Sequence, residues 1–453
     1  MPETPVRTTP FPTDEAIRAI LERRIAMHAG VGFVVGMIEP DGCRRVVACG
    51  DPGADRQMLD GESVFEIGSI TKTFTGILLA DMVLRGMVDL EAPAATYLPA
   101  GRRLPARNGQ EITLLHLAMH TSGLPCEPPT QKIADPLDPL AGYTDEMMLD
   151  FLDGYTLTRD IGAEYAYSNL GVSLLGYLLT CRAGKPYAEL LAEHILTPLG
   201  MSMTGLILSP EMQGHLATGH DVQGDEVPCW HLDAYAPAGA IRSTAHDLLR
   251  YAEANLSPDN TPLGHAIQLA HQPHPIANTE ALHGLTWGIN GAIHEHFGMT
   301  GGYSSALLLN QVEHWALVIL ANSQDDIYDL AMHLINRAHP LAPPPLWKQR
   351  EVVPMTADQL DQYTGTYIFD EHLHLRFPPN FTGRVTRGDG CLLVHDDFNW
   401  TRAIYPGGGD EFFYRLQNAT ITFQRDEHRA VTGMVFRAWG IEVKAKKCSP
   451  AIP

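Results

Sequence analysis

Strand-like segments at both ends of residues 1–340, with helical segments between them, limit the possible folds of this chain. Near the start, "VGFVVGMI" and "RRVVACG" are rich in β-branched and apolar residues and are joined by the turn sequence "EPDG". Strand patterns return much later as "LTWGINGAIHE", "YSSALLLNQ" and "HWALVILAN". The residues between, from Ser69 to about Gln272, have mainly helical patterns. We therefore expect an α/β domain with one sheet that the late strands complete.

The first and last helices of this domain are expected to pack on a face of the sheet. Thr13 can cap a helix through "DEAIRAILERRIAMH", whose apolar residues recur at helical spacing. The segment "DDIYDLAMHLINRA" predicts the last helix. Both segments adjoin strand patterns, so the sequence predicts that they cover the sheet from outside.

A second domain is expected after a proline-rich linker at residues 341–352. Residues 353–453 contain the short β-rich runs "YTGTYIF", "CLLVHD", "EFFYRL", "ATITFQR" and "VTGMVFRAW", separated by turn signals. Many short strands at even spacing predict a small antiparallel β-barrel.

Composition excludes several classes of function. The chain has 453 residues and a net charge of −21, so it lacks the clustered cations that nucleic-acid binding requires. Its seven cysteines are scattered and have no CxxC spacing, which argues against a disulfide framework and a zinc site. The sequence shows no secretory leader pattern and no apolar run of membrane-spanning length, and a cytoplasmic protein without membrane partners is the expectation.

Ser69 and Lys72 in "GSITKTF" lie three residues apart at the predicted start of a helix. At this spacing both side chains project from one helix face and can touch. A serine hydroxyl becomes a nucleophile when a neighbouring base takes its proton, and the helix N-terminus favours the developing anion. A capping serine beside a surface lysine would have the same sequence, so the motif needs companions.

Two further segments accompany this motif. Tyr167 and Asn169 stand in "GAEYAYSNLG", and His296, Phe297 and Gly298 stand in "HEHFGMTGGYSS". In this order the elements resemble the serine β-lactamase and penicillin-binding-protein superfamily, most closely its class C β-lactamase-like branch. The resemblance spans about residues 15–340 and includes "ITLLHLAMHTSGLP", "LTPLGMSMT" and "PAGAIRSTAHDLLRYAEA".

This resemblance implies a role for each matching residue. Ser69 would be the acylated nucleophile, Lys72 its base or proton relay, and Tyr167 the group that carries the proton to and from the leaving group. Asn169 would bind the substrate amide and hold Lys72. The backbone N–H groups of Ser69 and Met299 would form the oxyanion hole.

The resemblance also implies the architecture. The catalytic domain would be β-lactamase/transpeptidase-like, with an antiparallel sheet flanked by helices and an additional all-helical region. The C-terminal domain resembles the lipocalin-like barrel that follows some members of this branch.

His296, Phe297 and Gly298 take the place of the family's K-T-G on the strand beside the scissile bond, and the resemblance implies that they bind substrate together with Met299. This departure from K-T-G bears on the kind of substrate. Histidine is mostly neutral at pH 7 and phenylalanine has no hydroxyl, so recognition of a carboxylate is expected to be weaker. The pattern is more similar to the esterases, D-peptidases and peptide cyclases of the superfamily. An alternative register would use Met299, Thr300 and Gly301.

Structural roles are expected for the other conspicuous polar residues. His116 and His120 in "LLHLAMHTSGLP" are expected to shape a loop near the site. Ser243 and Thr244 are expected to cap a helix, with Asp247 completing a capping box.

No metal or cofactor is expected. His294 with His296, or His372 with His374, could face one way on a strand, but each pair lacks a third ligand. The chain also has no GxSxG nucleophile elbow and no phosphate-binding glycine loop.

The sequence therefore predicts a serine hydrolase that forms an acyl-Ser69 intermediate with an amide, ester or β-lactam. Its partner would be a small-molecule or short-peptide acyl donor. One alternative is a penicillin-binding-protein-type thioesterase that cyclises a peptide bound to a peptidyl carrier protein, with an amine replacing water. Another is a sensor module that is acylated without turnover. The oligomeric state stays open.

Overall fold

The computed structural model describes residues 10–27, 30–53, 58–128, 131, 135, 137–221, 224–277, 279, 281–342, 351–369, 382–396, 401–414, 419–438 and 441–448. The chain divides into two compact units. The first comprises residues 1–124 and 132–341, and the second comprises residues 125–131 and 342–453. No pattern in the sequence indicates that residues 125–131 group with the C-terminal unit. Most of the proline-rich linker, residues 343–350, lies outside the described residues.

The first unit combines one large sheet with many helices. Its helices are α1 (Asp14–Ala26), α2 (Thr71–Leu84), α3 (Leu114–Ala118), α4 (Asp145–Gly154), α5 (Asn169–Ala183), α6 (Tyr187–Leu191), α7 (Thr197–Leu199), α8 (Pro210–His215), α9 (Ala236–Gly239), α10 (Ala245–Leu256), α11 (Pro262–Ala270) and α12 (Tyr328–Ile335). Short 3₁₀ turns lie at Gly68–Ile70 and Ala94–Tyr97, and a π-helical turn, Ala192–Leu196, joins α6 to α7. None of the helices in the described ranges is long and apolar enough to cross a membrane.

The strands of the first unit include those of one large sheet, which come from the beginning and the end of the unit as the sequence predicts, and short pairs outside that sheet. They are β1 (Gly32–Ile38), β2 (Arg44–Gly50), β3 (Val64–Glu66), β4 (Ala106–Arg107), β5 (Gln110–Glu111), β6 (Gly219–His220), β7 (Glu226–Val227), β8 (Arg242–Thr244), β9 (His274–Pro275), β10 (Leu282–His283), β11 (Gly288–Asn290), β12 (Ile293–Met299), β13 (Ser304–Asn310) and β14 (Trp315–Ala321). Eight of them form an antiparallel sheet in the order β2-β1-β14-β13-β12-β11-β10-β9. The early strand β1 pairs directly with the late strand β14, which confirms the expected completion of one sheet.

Helices α1 and α12 cover the outer face of this sheet. Ile17 and Leu21 of α1 and Leu330 of α12 belong to one buried cluster with side chains from β1, β13 and β14. Burial of each such side chain contributes about 1.5–3 kcal/mol relative to exposure. Thr13 caps α1 by accepting a hydrogen bond from the Ala16 N–H, as predicted. The predicted packing of the first and last helices is confirmed.

The capping prediction for α10 is correct only in part. Thr244 caps this helix by accepting the Asp247 N–H. The predicted box is wrong, because the Asp247 carboxylate accepts the Met203 N–H and the Thr204 hydroxyl instead. Ser243 is not a cap either, since its hydroxyl lies 2.7 Å from that of Thr204. These contacts link segments about forty residues apart in the chain, so the local sequence around α10 does not predict them.

The second unit is a closed barrel of eight antiparallel strands with a short helix, α13 (Ala357–Asp361), before it. The strands are β15 (Gly365–Phe369), β16 (Thr382–Arg387), β17 (Leu392–Asp396), β18 (Thr401–Gly408), β19 (Glu411–Tyr414), β20 (Ala419–Arg425), β21 (Val431–Ala438) and β22 (Ile441–Lys447). Each strand pairs with the next, and β22 pairs with β15 to close the barrel. Aromatic side chains such as Tyr367, Phe412 and Phe423 fill its core. The expected small antiparallel barrel is confirmed.

Two buried histidines of the first unit make its stability depend on pH. The pKa of His271 is lowered to about 3 by burial and by the neighbouring His294, and burial lowers the pKa of His283 to about 4. Above pH 6.5 both histidines are neutral in the folded and unfolded states. Between about pH 6.5 and about pH 4 the unfolded chain binds protons that the folded chain excludes, so the free energy of unfolding falls by about 1.4 kcal/mol per pH unit for each histidine.

We expect urea unfolding midpoints to fall steadily below pH 6.5, and to fall less steeply in a His271→Gln variant because glutamine does not titrate. His265→Gln, at an exposed position, is the control for the substitution itself. Parallel pH curves for the wild type and His271→Gln would contradict this assignment.

Candidate active site

Ser69 lies in a tight turn between β3 and α2. The chain leaves β3, forms the 3₁₀ turn Gly68–Ile70 and enters α2 at Thr71, so the helix begins two residues later than expected. Gly68 has φ +49°, and a Cβ atom there would stand 2.7 Å from the backbone nitrogen of Met299. A side chain at Gly68 would therefore clash, and glycine lets the nucleophile turn approach β12 closely.

Lys72 is fully buried beneath this turn and reaches Ser69. Its Nζ lies 2.9 Å from Ser69 Oγ and also donates a 2.7 Å hydrogen bond to the carbonyl oxygen of Ala238. The one-turn spacing of the two residues thus produces the predicted contact. Ala238 was not predicted individually, although its segment "PAGAIRST" is part of the resemblance.

Tyr167 approaches Ser69 from another part of the chain. Its hydroxyl donates a 2.8 Å hydrogen bond to Ser69 Oγ, and Lys72 Nζ lies 4.9 Å from the centre of its ring. Ser168, the next residue, caps α5 by accepting the Gly171 N–H. Ser69 Oγ therefore has two proton-carrying groups within hydrogen-bond distance, which is the arrangement that general acid–base activation of a nucleophile requires.

Asn169 is the first residue of α5 and is half-buried. It lies two residues beyond Tyr167, on the helix that Ser168 caps. Its expected role in binding the substrate amide stays a prediction.

Strand β12 runs beside the nucleophile turn and carries the segment His296–Met299. A Cβ atom at Gly298 would stand 2.1 Å from the carbonyl oxygen of Ile67, so only glycine fits against the turn at this position. The Ser305 hydroxyl from β13 donates to the same carbonyl at 2.8 Å. Gly301, the glycine of the alternative register, instead approaches the Trp230 indole. The structure thus favours the register with Gly298.

The prediction that Phe297 binds substrate is wrong for its side chain. Neighbouring residues of a strand point to opposite faces, and Gly298 faces the nucleophile turn. Phe297 therefore points to the outer face, where its ring lies 5.4 Å from that of Tyr328 and joins the core under α1 and α12. By the same alternation His296 shares the face of Gly298. The His296 Nδ1 lies 2.8 Å from the carbonyl oxygen of Phe297.

A buried ion pair stands beside the turn and was not predicted from the sequence. Glu66 ends β3 and is 3% exposed, and its carboxylate accepts hydrogen bonds from Arg242 at 2.8 Å and from the Trp230 N–H. Burial raises the pKa of Glu66, and the Arg242 guanidinium opposes that rise. Removing either partner would leave a buried charge uncompensated, so this pair fixes β3 to β8 next to Ser69.

The two histidines expected to shape the loop take different positions. His116 closes a capping box at the start of α3: its Nδ1 accepts the Thr113 N–H, and its own N–H donates to the Thr113 hydroxyl. His120 is buried and packs on Tyr167, with ring centres 4.6 Å apart. The loop after α3, which carries His120, therefore touches the candidate site directly.

Within the described residues no group of three or more histidine, cysteine, aspartate or glutamate side chains could hold a metal ion. His294 stacks on His271 with ring centres 4.4 Å apart. His372 and His374 lie outside the described residues.

Comparison with known proteins agrees with this geometry. The chain is 36% identical over 198 residues to the D-alanyl-D-alanine-carboxypeptidase/endopeptidase AmpH of Escherichia coli, a match that covers 44% of this chain and 50% of that protein. It is 25% identical over 418 residues to penicillin-binding protein 4* of Bacillus subtilis, covering 84% of this chain and 87% of that protein. The chain thus spans about half the length of the first relative and most of the second.

Solved structures show the same fold. A β-lactamase/D-alanine carboxypeptidase from Pseudomonas syringae superposes with a TM-score of 0.63 at 20% identity, covering 73% of this chain and 100% of that one. The model of the family described as Beta-lactamase matches residues 18–339. This range is well over half of the chain and contains Ser69, Lys72 and Tyr167, and the protein therefore belongs to the beta-lactamase family.

Proposed function

We propose that this protein is a serine hydrolase of the class C β-lactamase-like branch, which transfers the acyl group of a small amide, ester or β-lactam to Ser69 and then to water. One observation carries the proposal. Ser69 Oγ lies 2.9 Å from Lys72 Nζ and 2.8 Å from the Tyr167 hydroxyl, at the start of a helix. A serine with two such neighbours can lose its proton as it attacks a carbonyl carbon.

The proposed reaction has two halves. In the first, Ser69 Oγ bonds to the carbonyl carbon while its proton passes to the Lys72–Tyr167 pair, and the same pair returns a proton to the departing amine or alcohol. In the second, water attacks the ester and its proton follows the reverse path to Ser69 Oγ. The backbone N–H groups of Ser69 and Met299 would hold the oxyanion in both halves, consistent with the close approach of Gly68 to Met299.

The substrate class is proposed from the charges on β12. One relative is named a D-alanyl-D-alanine-carboxypeptidase/endopeptidase, and a carboxypeptidase acts at the carboxyl end of a peptide. In this chain His296 takes the position of the family's permanent cation, and the Phe297 side chain points away from the site. We therefore expect neutral esters and amides to be used at least as well as carboxylate-bearing substrates.

Replacing His296 by lysine tests this expectation. A permanent ammonium on β12 should lower KM for benzylpenicillin by about tenfold, the worth of one charge-assisted hydrogen bond. KM for p-nitrophenyl acetate should stay nearly constant, because this ester has no carboxylate, and it serves as the matched control. Equal changes for both substrates would show that His296 does not face the anionic end of the substrate.

A panel of acyl donors tests the proposed function as a whole. The purified protein would be incubated with benzylpenicillin, a D-alanyl-D-alanine peptide, a p-nitrophenyl ester and a peptidyl thioester, and products would be identified by mass. Hydrolysed acids support the proposal. A cyclised peptide from the thioester would favour the carrier-dependent cyclase, and a stable adduct without turnover would favour the sensor module.

A further inference from the structure

We propose that His120 is a positioning residue that holds Tyr167 at hydrogen-bond distance from Ser69, an inference that rests on the proposed role of Tyr167 in proton transfer. His120 belongs to the loop after α3 and Tyr167 to the loop before α5. The two are 47 positions apart in the sequence, so their contact is made by the fold.

Both neighbours of Tyr167 are attached to His120. The Ala166 N–H donates a 2.8 Å hydrogen bond to the backbone carbonyl of His120, and the Ser168 N–H donates a 3.1 Å bond to its Nδ1. The imidazole also packs on the phenol ring itself, with ring centres 4.6 Å apart and planes inclined by 33°. Tyr167 thus lies between two backbone positions that are fixed on the same histidine.

The same loop is tied to the helix that carries Lys72. The Thr286 N–H donates to the backbone carbonyl of Ala118 at 3.0 Å, and the Thr286 hydroxyl donates to the backbone carbonyl of Lys72 at 2.6 Å. His120, two residues after Ala118, therefore joins Tyr167 to the element that positions Lys72. A shift of this loop would change the distance between the two proton-carrying groups, and errors of about 1 Å in such geometry can cost about 10²-fold in rate.

The backbone and protonation state of His120 suit this role. Its φ of 55° lies in the left-handed region, where histidine and asparagine are tolerated better than most side chains. Nδ1 accepts a hydrogen bond, so the proton of the neutral ring is on Nε2. Burial lowers the pKa of His120 well below its usual value, and the nearby His283, Lys72 and His296 lower it further. His120 Nδ1 therefore remains unprotonated, and able to accept the Ser168 N–H, across the neutral pH range.

Asparagine and leucine have nearly the same size and shape, so substituting each for His120 separates the effect of the hydrogen bond from the effect of packing. In His120→Asn, the side-chain oxygen stands near the place of Nδ1 and can accept the Ser168 N–H, whereas His120→Leu has no acceptor. We expect the rate of Ser69 labelling by a fluorophosphonate to fall by about tenfold or more in His120→Leu and by less than about threefold in His120→Asn. His120→Gly controls for backbone strain, because it accepts the left-handed φ but supplies no acceptor, and it should behave like His120→Leu.

A double-mutant cycle then tests whether His120 acts through the Tyr167 hydroxyl. Tyr167→Phe keeps the ring but removes the hydroxyl, so adding His120→Leu to it should cost less than about twofold in labelling rate. The proposal is overturned if His120→Asn is labelled as slowly as His120→Gly. It is also overturned if His120→Leu lowers the labelling rate of the Tyr167→Phe protein by the same factor as it lowers that of the wild type. Failure of the proposed function has a different signature, namely labelling that persists in Ser69→Ala.

Discussion

Replacing Ser69 by alanine is expected to abolish covalent labelling by a fluorophosphonate and to lower turnover of every acyl donor by about 10⁴-fold or more. The reason is that Ser69 Oγ is the atom on which Lys72 Nζ and the Tyr167 hydroxyl converge. The fold should survive, because neither the 3₁₀ turn nor α2 begins with a side-chain cap and the Ser69 hydroxyl does not stabilise the helix end.

The measurement is the labelling rate together with the far-ultraviolet circular dichroism of each protein. Ser257→Ala, which alters an exposed serine at the end of α10, is the control and should label like the wild type. Undiminished labelling of a folded Ser69→Ala protein would mean that another serine is the nucleophile, and the site would have to be reassigned.

Lys72→Ala and Tyr167→Phe are each expected to lower the acylation rate by about 10²-fold or more, the usual contribution of a positioned acid or base. Their effects should not multiply. Lys72 Nζ and the Tyr167 hydroxyl both contact Ser69 Oγ and serve one proton path, so loss of the first group already disables the second. The double variant should therefore be only slightly slower than the slower single variant.

Stopped-flow measurements with a p-nitrophenyl ester would give these rates, and melting temperatures would show that each variant is folded. Lys185→Ala removes an exposed lysine that pairs with Glu193 on the surface and should leave the rate unchanged. A double variant whose losses multiply in full would mean that Lys72 and Tyr167 act in separate steps.

Much of the fold could be predicted because its periodic patterns are strong. Strands β1 and β14 are continuous apolar runs, which indicates burial on both faces of the sheet, and helices α1 and α12 have clear apolar stripes. The three-residue spacing of Ser69 and Lys72 shows that their side chains can touch, as they do. Tyr167 could be assigned only through the resemblance, because no local pattern places it near a serine 98 positions earlier.

The incorrect and missing predictions have two physical causes. In β12 the sequence "IHEHFGM" mixes polar and apolar residues, and the strand is half-buried along most of its length. Neighbouring side chains must point to opposite faces of the sheet, but this sequence does not indicate which residues point to which face. The sequence alone therefore does not show that the Phe297 side chain points away from the site. The carboxylate of Asp247 and the imidazole of His120 bind partners about forty or more residues away, and local sequence carries no signal for such contacts.

Mass spectrometry of the acyl-enzyme tests whether Ser69 forms the covalent intermediate. The protein would be mixed with benzylpenicillin or a p-nitrophenyl ester, quenched in acid within milliseconds to seconds, and analysed intact and after proteolysis. We predict a mass increase equal to the acyl group, located on the peptide that contains Ser69 and absent from Ser69→Ala. Turnover without any adduct during the steady state in both the wild type and Tyr167→Phe, or an adduct on another residue, would contradict an acyl-Ser69 mechanism.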